Sequence, residues 1–144
     1  MKYFVLALVL IWGSYNHTDA QQVANYSTGT PGHDTYEEFS FWARNNQRST
    51  IDYTYGANRK SLRLTYLGKG KLPHSFQVKF PNQLVLTLIP NGNTLLVKDS
   101  KGTYNKVFTW KYEGPVDGIG TFCTPCAKDE AAAMKIINRY YIQK

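Results

Sequence analysis

Along residues 49–55, apolar Ile51, Tyr53 and Tyr55 alternate with polar Thr50, Asp52 and Thr54, the period of two that marks a strand with one buried face. The pattern recurs in runs bounded by turn formers. Leu62, Leu64 and Tyr66 alternate with Arg63 and Thr65, and Phe76, Val78 and Phe80 alternate with Gln77 and Lys79; residues 84–89, 94–98 and 104–112 complete the series. Between the runs stand Gly56-Ala-Asn-Arg-Lys60, Gly68-Lys-Gly-Lys71, Pro81-Asn82, Pro90-Asn-Gly92 and Asp99-Ser-Lys-Gly102, rich in residues that fix φ, accept positive φ or bond to their own backbone. Residues 36–47 admit two readings: a short helix with Asp34 and Glu37 as a capping box, or a strand with Phe39, Phe41 and Ala43 on one face that turns at Asn45-Asn46. The strand is preferred. Six to eight short strands with turn signals every eight to twelve residues or so predict a mainly β protein, a small antiparallel meander closed into a barrel or sandwich.

Near the end the period changes. Ala133, Ile136, Ile137, Tyr140 and Tyr141 recur at helical spacing, with Lys135, Asn138 and Arg139 opposite, which predicts one amphipathic C-terminal helix over about 124–142. Thr124 is its expected N-cap, Pro125 suits the first helical position, and Asp129 and Glu130 sit near the positive end of the dipole. Its apolar face needs a cover, either an open end or exposed face of the barrel or, alternatively, another molecule. Residues 21–35 are turn formers without a period and read as a flexible leader, so residues 36–144 make one β domain.

Residues 1–20 differ from all of this. Lys2, an apolar run over residues 3–12 and a polar end at Thr18-Asp-Ala20 form a signal peptide, with cleavage expected near Ala20 and export to the periplasm or the medium. The run is too short to span a bilayer, so the mature chain is expected to carry no transmembrane segment. Removing Lys2 and Asp19 leaves the formal charge of +7 unchanged. With 15% aromatic and only 19% charged residues, the composition fits an exported β protein better than a helical bundle or a disordered chain, and the length fits a single domain. A monomer is expected.

The positive balance is concentrated. Arg59, Lys60 and Arg63 cluster about one turn and Lys69 and Lys71 about the next, and the two groups merge into one basic patch if their loops share a barrel end. Export argues against nucleic acid and for an anionic envelope polymer or an acidic protein partner, drawn through a field that salt weakens. Solubility is the plainer use of the same charges. Tyr53, Tyr55, Tyr66 and Trp110 would make a sugar-stacking platform, although alternating aromatics on strands usually belong to a core.

Enzymatic chemistry has little to build on. The chain has no Gly-x-Ser-x-Gly, phosphate-binding loop, His-Glu-x-x-His or dinucleotide glycine pattern. His33 and His74 stand beside turns, and no spacing among Asp52, Asp99, Glu113 and Asp117 singles out a catalytic pair. No cofactor is called for. The two cysteines, Cys123 and Cys126, are one close pair without the companions a zinc site needs. A thiol in the first turn of a helix would have its thiolate stabilised, and Phe122-Cys-Thr-Pro-Cys126 before a helix resembles the active-site segment of thioredoxin-like proteins over about the last twenty residues. A structural disulfide at the helix start is the preferred reading; reduced thiols or a thiol–disulfide redox role are the alternatives. The function expected is a non-enzymatic binding or envelope-associated module.

Finally, Phe76-Gln-Val-Lys-Phe-Pro-Asn82, Leu84-Val-Leu86, Asp99-Ser-Lys-Gly-Thr-Tyr104 and Phe108-Thr-Trp-Lys-Tyr-Glu-Gly114 follow one another in an order similar to that in the membrane-bound or periplasmic inhibitors of c-type lysozyme. The resemblance implies a small exported barrel in which a loop serine and a basic residue before a glycine enter the lysozyme cleft; the matching positions here are Ser100 and Lys111.

Overall fold

The computed structural model describes residues 22–44, 49–111 and 125–143. Eight strands, β1 (Gln22–Thr28), β2 (Glu37–Ala43), β3 (Thr50–Tyr55), β4 (Lys60–Lys69), β5 (Phe76–Lys79), β6 (Val85–Asn91), β7 (Thr94–Lys98) and β8 (Asn105–Trp110), follow one another around a closed antiparallel barrel. A single α-helix, α1 (Glu130–Ile137), comes last and continues into a π-helical turn, Asn138–Ile142. The mainly β meander expected from the alternation is the fold that forms, and residues 37–43 take the strand rather than the capped helix.

The alternating apolar set points inward. Phe39, Phe41, Ile51, Leu64, Phe76, Val78, Leu88, Leu95, Val97 and Phe108 are all buried in one cluster. Phe39 meets Phe108 edge-on at 4.9 Å, and Phe41 meets Phe76 the same way at 5.9 Å, the geometry in which the positive ring edge faces the negative ring face. Eight strands enclose a space that side chains can fill, and these rings fill it. The barrel interior is a core.

Residues 22–28, read from sequence as part of a leader, are instead β1. It pairs with β2 along its whole length, from Gln22↔Ala43 to Thr28↔Glu37. Its other edge is shared by separate pieces of chain: β8 at Tyr26↔Trp110 and Ser27↔Thr109, Lys111, whose N–H donates to the Asn25 carbonyl at 3.3 Å, and residues 125–127, where Val23 N–H donates to Pro125 O at 2.7 Å and Ala127 N–H to Val23 O at 2.8 Å. Val23 and Ser27 on one face and Ala24 and Tyr26 on the other are all buried. A strand covered on both faces loses the alternation by which strands are recognised.

The helix start is also corrected. α1 is capped by Asp129, whose carboxylate accepts the Ala132 N–H at 2.7 Å, and residues 125–127 run extended beside Val23. The backbone bonds to β1 hold Pro125 out of the helix that its missing N–H would otherwise suit. From its cap the helix lays Ala133, Ile136, Ile137 and Tyr141 into the core. The Tyr141 ring lies 5.5 Å from both Phe41 and Phe76, and its hydroxyl can donate to Thr50 O at 3.0 Å or Trp42 O at 3.1 Å. Tyr66 donates in turn to Tyr141 O at 2.8 Å. The tail therefore plugs one end of the barrel, as its apolar stripe requires, each buried large side chain contributing about 1.5–3 kcal/mol.

At the opposite end, the mouth, the β1–β2 loop reverses through Gly29 at φ +74°, where a Cβ would stand 2.0 Å from Thr35 O. The loop is tied to its neighbour by Gly56 N–H donating to Tyr36 O at 2.9 Å. Only glycine fits that approach.

Candidate functional site

The two basic clusters do not merge. Arg59 precedes β4 and Lys60 begins it at the mouth, whereas Lys69 ends that strand and Lys71 follows it, so the ten-residue β4 separates them by about 30 Å of extended chain. Part of the first cluster is also compensated. Arg59 reaches the buried Glu38 at 3.4 Å and lies over the Tyr36 ring at 5.2 Å, and Arg63 forms an ion pair with Asp52, its cross-strand neighbour.

What the fold does assemble is a cleft on the outer face of β5, β6 and β7. Gln77, Thr87 and Lys98 stand in one cross-strand row, and Gln77 Nε2 donates to Thr87 Oγ1 at 3.4 Å. Lys71 and Leu72 wall this row on one side and residues 98–102 on the other, enclosing about 530 Å³. Ordinary ligand pockets run from roughly 300 to 1,000 Å³. Lys71, Lys98 and Lys101 converge here with Ser100 and a single carboxylate, Asp99. Asp99 Oδ1 is buried without a hydrogen-bond partner among the described residues. Of the residues singled out in the sequence, Lys71 and Ser100 belong to the cleft; Lys98 and Lys101 were missed, although Lys98 precedes the Asp99-Ser-Lys-Gly102 turn and Lys101 lies within it.

The pair implied by the lysozyme-inhibitor resemblance is not brought together. Ser100 lies in the β7–β8 loop and Lys111 just past the far end of β8, about 20 Å apart along the intervening strand. Cys126, expected in the first helical turn, lies beside Val23 instead, before the Asp129 cap. Cys123 lies outside the described residues, as do Thr124, Glu113, Asp117 and the Asn45-Asn46 turn; no free cysteine occurs among those described. Tyr53, Tyr55, Tyr66 and Trp110 face inward. Tyr53, Tyr66 and Trp110 pack against the core, so the four do not form an outer platform. His33 and His74 are exposed loop residues.

The mouth holds a polar cluster that the alternation did not reveal. Glu37 occupies an inward position of β2, accepts from the Tyr104 hydroxyl at 2.7 Å and pairs with Lys106 of β8. Burial pushes its carboxyl up, but hydrogen bonds from Lys106, Tyr104 and Tyr53 and the Lys106 charge outweigh that and hold it below the ordinary glutamate value. Tyr53 and Tyr104 are pushed up, first by burial and then by Glu37, so both remain neutral donors. Glu37 thereby ties β2 to Tyr104 and to Lys106 of β8 across the mouth.

Among the described residues no group of three or more His, Cys, Asp or Glu could hold a metal ion, and no helix is long and apolar enough to cross a membrane. Comparison with protein-family models, with curated proteins and with solved structures finds no match.

Proposed function

We propose that this protein is exported and serves as a non-enzymatic binding module that holds anionic groups, carried by an envelope polymer or an acidic protein, in the cleft of Lys71, Lys98 and Lys101. The observation that carries this reading is the convergence of Lys71 from one part of the chain with Lys98 and Lys101 from another on one cleft with a hydroxyl and an amide at its floor. Lysines of this kind act as mobile point charges and bind repeating anions through a field that falls with salt. The export half of the reading rests on residues 1–20, and N-terminal sequencing of protein recovered outside the cytoplasm should begin near Gln21.

The cleft is tested by retention on immobilised polygalacturonate and polyphosphate. Lys71→Glu/Lys98→Glu/Lys101→Glu should lose salt-sensitive retention, while Arg59→Glu/Lys60→Glu at the mouth should keep most of it. Equal loss in both variants would reduce the effect to net charge, and a parent protein that passes straight through both columns would end the proposal.

A further inference from the structure

We propose that a second cleft, where β3 and β4 part beneath the C-terminal tail, binds a neutral sugar ring. The β3–β4 pairing runs out at Ile51↔Leu64. Beyond that point the strands flank a cleft of about 430 Å³ lined by Thr50, Arg63, Thr65, Tyr66, Tyr140 and Tyr141 among others. It is separate from the lysine cleft, and the inference does not depend on that reading.

The chemistry of the lining selects the ligand class. The Tyr66 hydroxyl is spent on Tyr141 O and the Tyr141 hydroxyl on the carbonyls of Trp42 or Thr50, and the Tyr141 ring is buried, so the ring carbon at the cleft comes from the half-buried Tyr66 and Tyr140. Tyr140 carries the Arg139 guanidinium 5.4 Å from its ring centroid, a cation–π contact that steadies the ring. Beside the rings, Arg63 is held by Asp52 through Nε and, at 3.4 Å, through Nη2. That pair has no net charge, so it gives an anion no advantage, yet it presents planar donors next to a carboxylate acceptor in fixed orientation. The Arg63 side chain remains 57% exposed and so reachable. Threonine hydroxyls complete the polar wall. A purely apolar ligand would strand this wall, and a carboxylate would meet Asp52. A pyranose ring matches both halves, since its C–H face is apolar and its rim of hydroxyls each donates and accepts.

The test is a titration of the full mature chain with neutral tetrasaccharides of glucose, mannose and N-acetylglucosamine, and separately with tetragalacturonate, following the Arg63 side-chain N–H signal by NMR. At least one neutral sugar should shift it. Tyr140→Ala should weaken that binding about tenfold, the loss expected for one aromatic contact. Arg63→Lys, an exposed change that keeps the charge but loses the planar fork, should weaken it comparably even if Tyr140→Ala disturbs the tail. Lys98→Glu/Lys101→Glu should leave it unchanged. The proposal falls if no neutral sugar moves the Arg63 signal, if only the uronate does, or if Arg63→Lys binds like the parent.

Discussion

At the plugged end Tyr141 is buried with Ile136 and Ile137 against Phe41 and Phe76, whereas at the mouth Glu37 crosses from β2 to Tyr104 and Lys106. The difference follows from what each end has available. The tail brings an apolar stripe and closes its end by excluding water, a force that scales with buried area and is indifferent to protonation. Among the described residues the mouth has loops alone, and β1 and β8 pair at Tyr26↔Trp110 and Ser27↔Thr109, so side chains of opposite charge complete the ring there. One barrel thus has an end governed by volume and an end governed by ionisation.

The sharpest way to break the comparison is Tyr141→Ala. It should cost about 3–5 kcal/mol of unfolding free energy in urea, whereas Tyr141→Phe should cost only about 1 kcal/mol through the lost hydroxyl donor. Equal losses would show that the plug is a hydrogen-bond device. Next comes Glu37→Gln, with an expected cost of about 1–2 kcal/mol at neutral pH, since its lysine partner is largely exposed. The sign with pH is set by the lowered carboxyl. Above the ordinary value of 4.5 its contribution is fully present. As pH falls through that value the unfolded chain takes up the proton first, and the stabilisation disappears once the folded-state value is passed. Parent and Glu37→Gln curves should therefore converge in acid, while parent and Tyr141→Ala curves stay apart. A constant gap for the glutamine variant would refute the tie. Smallest is Asp129→Ala, about 1 kcal/mol for the lost cap, seen as fraying of α1 in amide exchange with the mouth unaffected.

These contrasts were unevenly legible in the sequence. Where one face was buried and one wet, as in Ile51-Asp-Tyr53 or Leu62-Arg-Leu64, the period of two gave strands and facing directly. β1 escaped because Val23 and Ser27 are buried as well as Ala24 and Tyr26, leaving no alternation to read. The helix stripe at Ala133, Ile136, Ile137 and Tyr141 was plain, but its start was not: Thr124-Pro125 has the local chemistry of a helix cap, and only the remote backbone of Val23 draws residues 125–127 away. The lysine cleft depends on the row Gln77, Thr87, Lys98, which sets the loop after β4 beside the loop after β7. No spacing along the chain announces that row. The misplaced basic patch has the same origin, since turns adjacent in sequence lie at opposite ends of an up-and-down barrel.

The shared outer edge of β1 has a consequence for how the molecule comes to exist. Its partners on that side, Thr109, Trp110, Lys111 and residues 125–127, come later in the chain than β2 to β7, although β1 precedes all of these strands. Long sequence separation makes such contacts entropically late and slow. A growing chain can form hairpins from β2 onward as it emerges, but the first strand must wait, with one edge open, until β8 and residues 125–127 have followed.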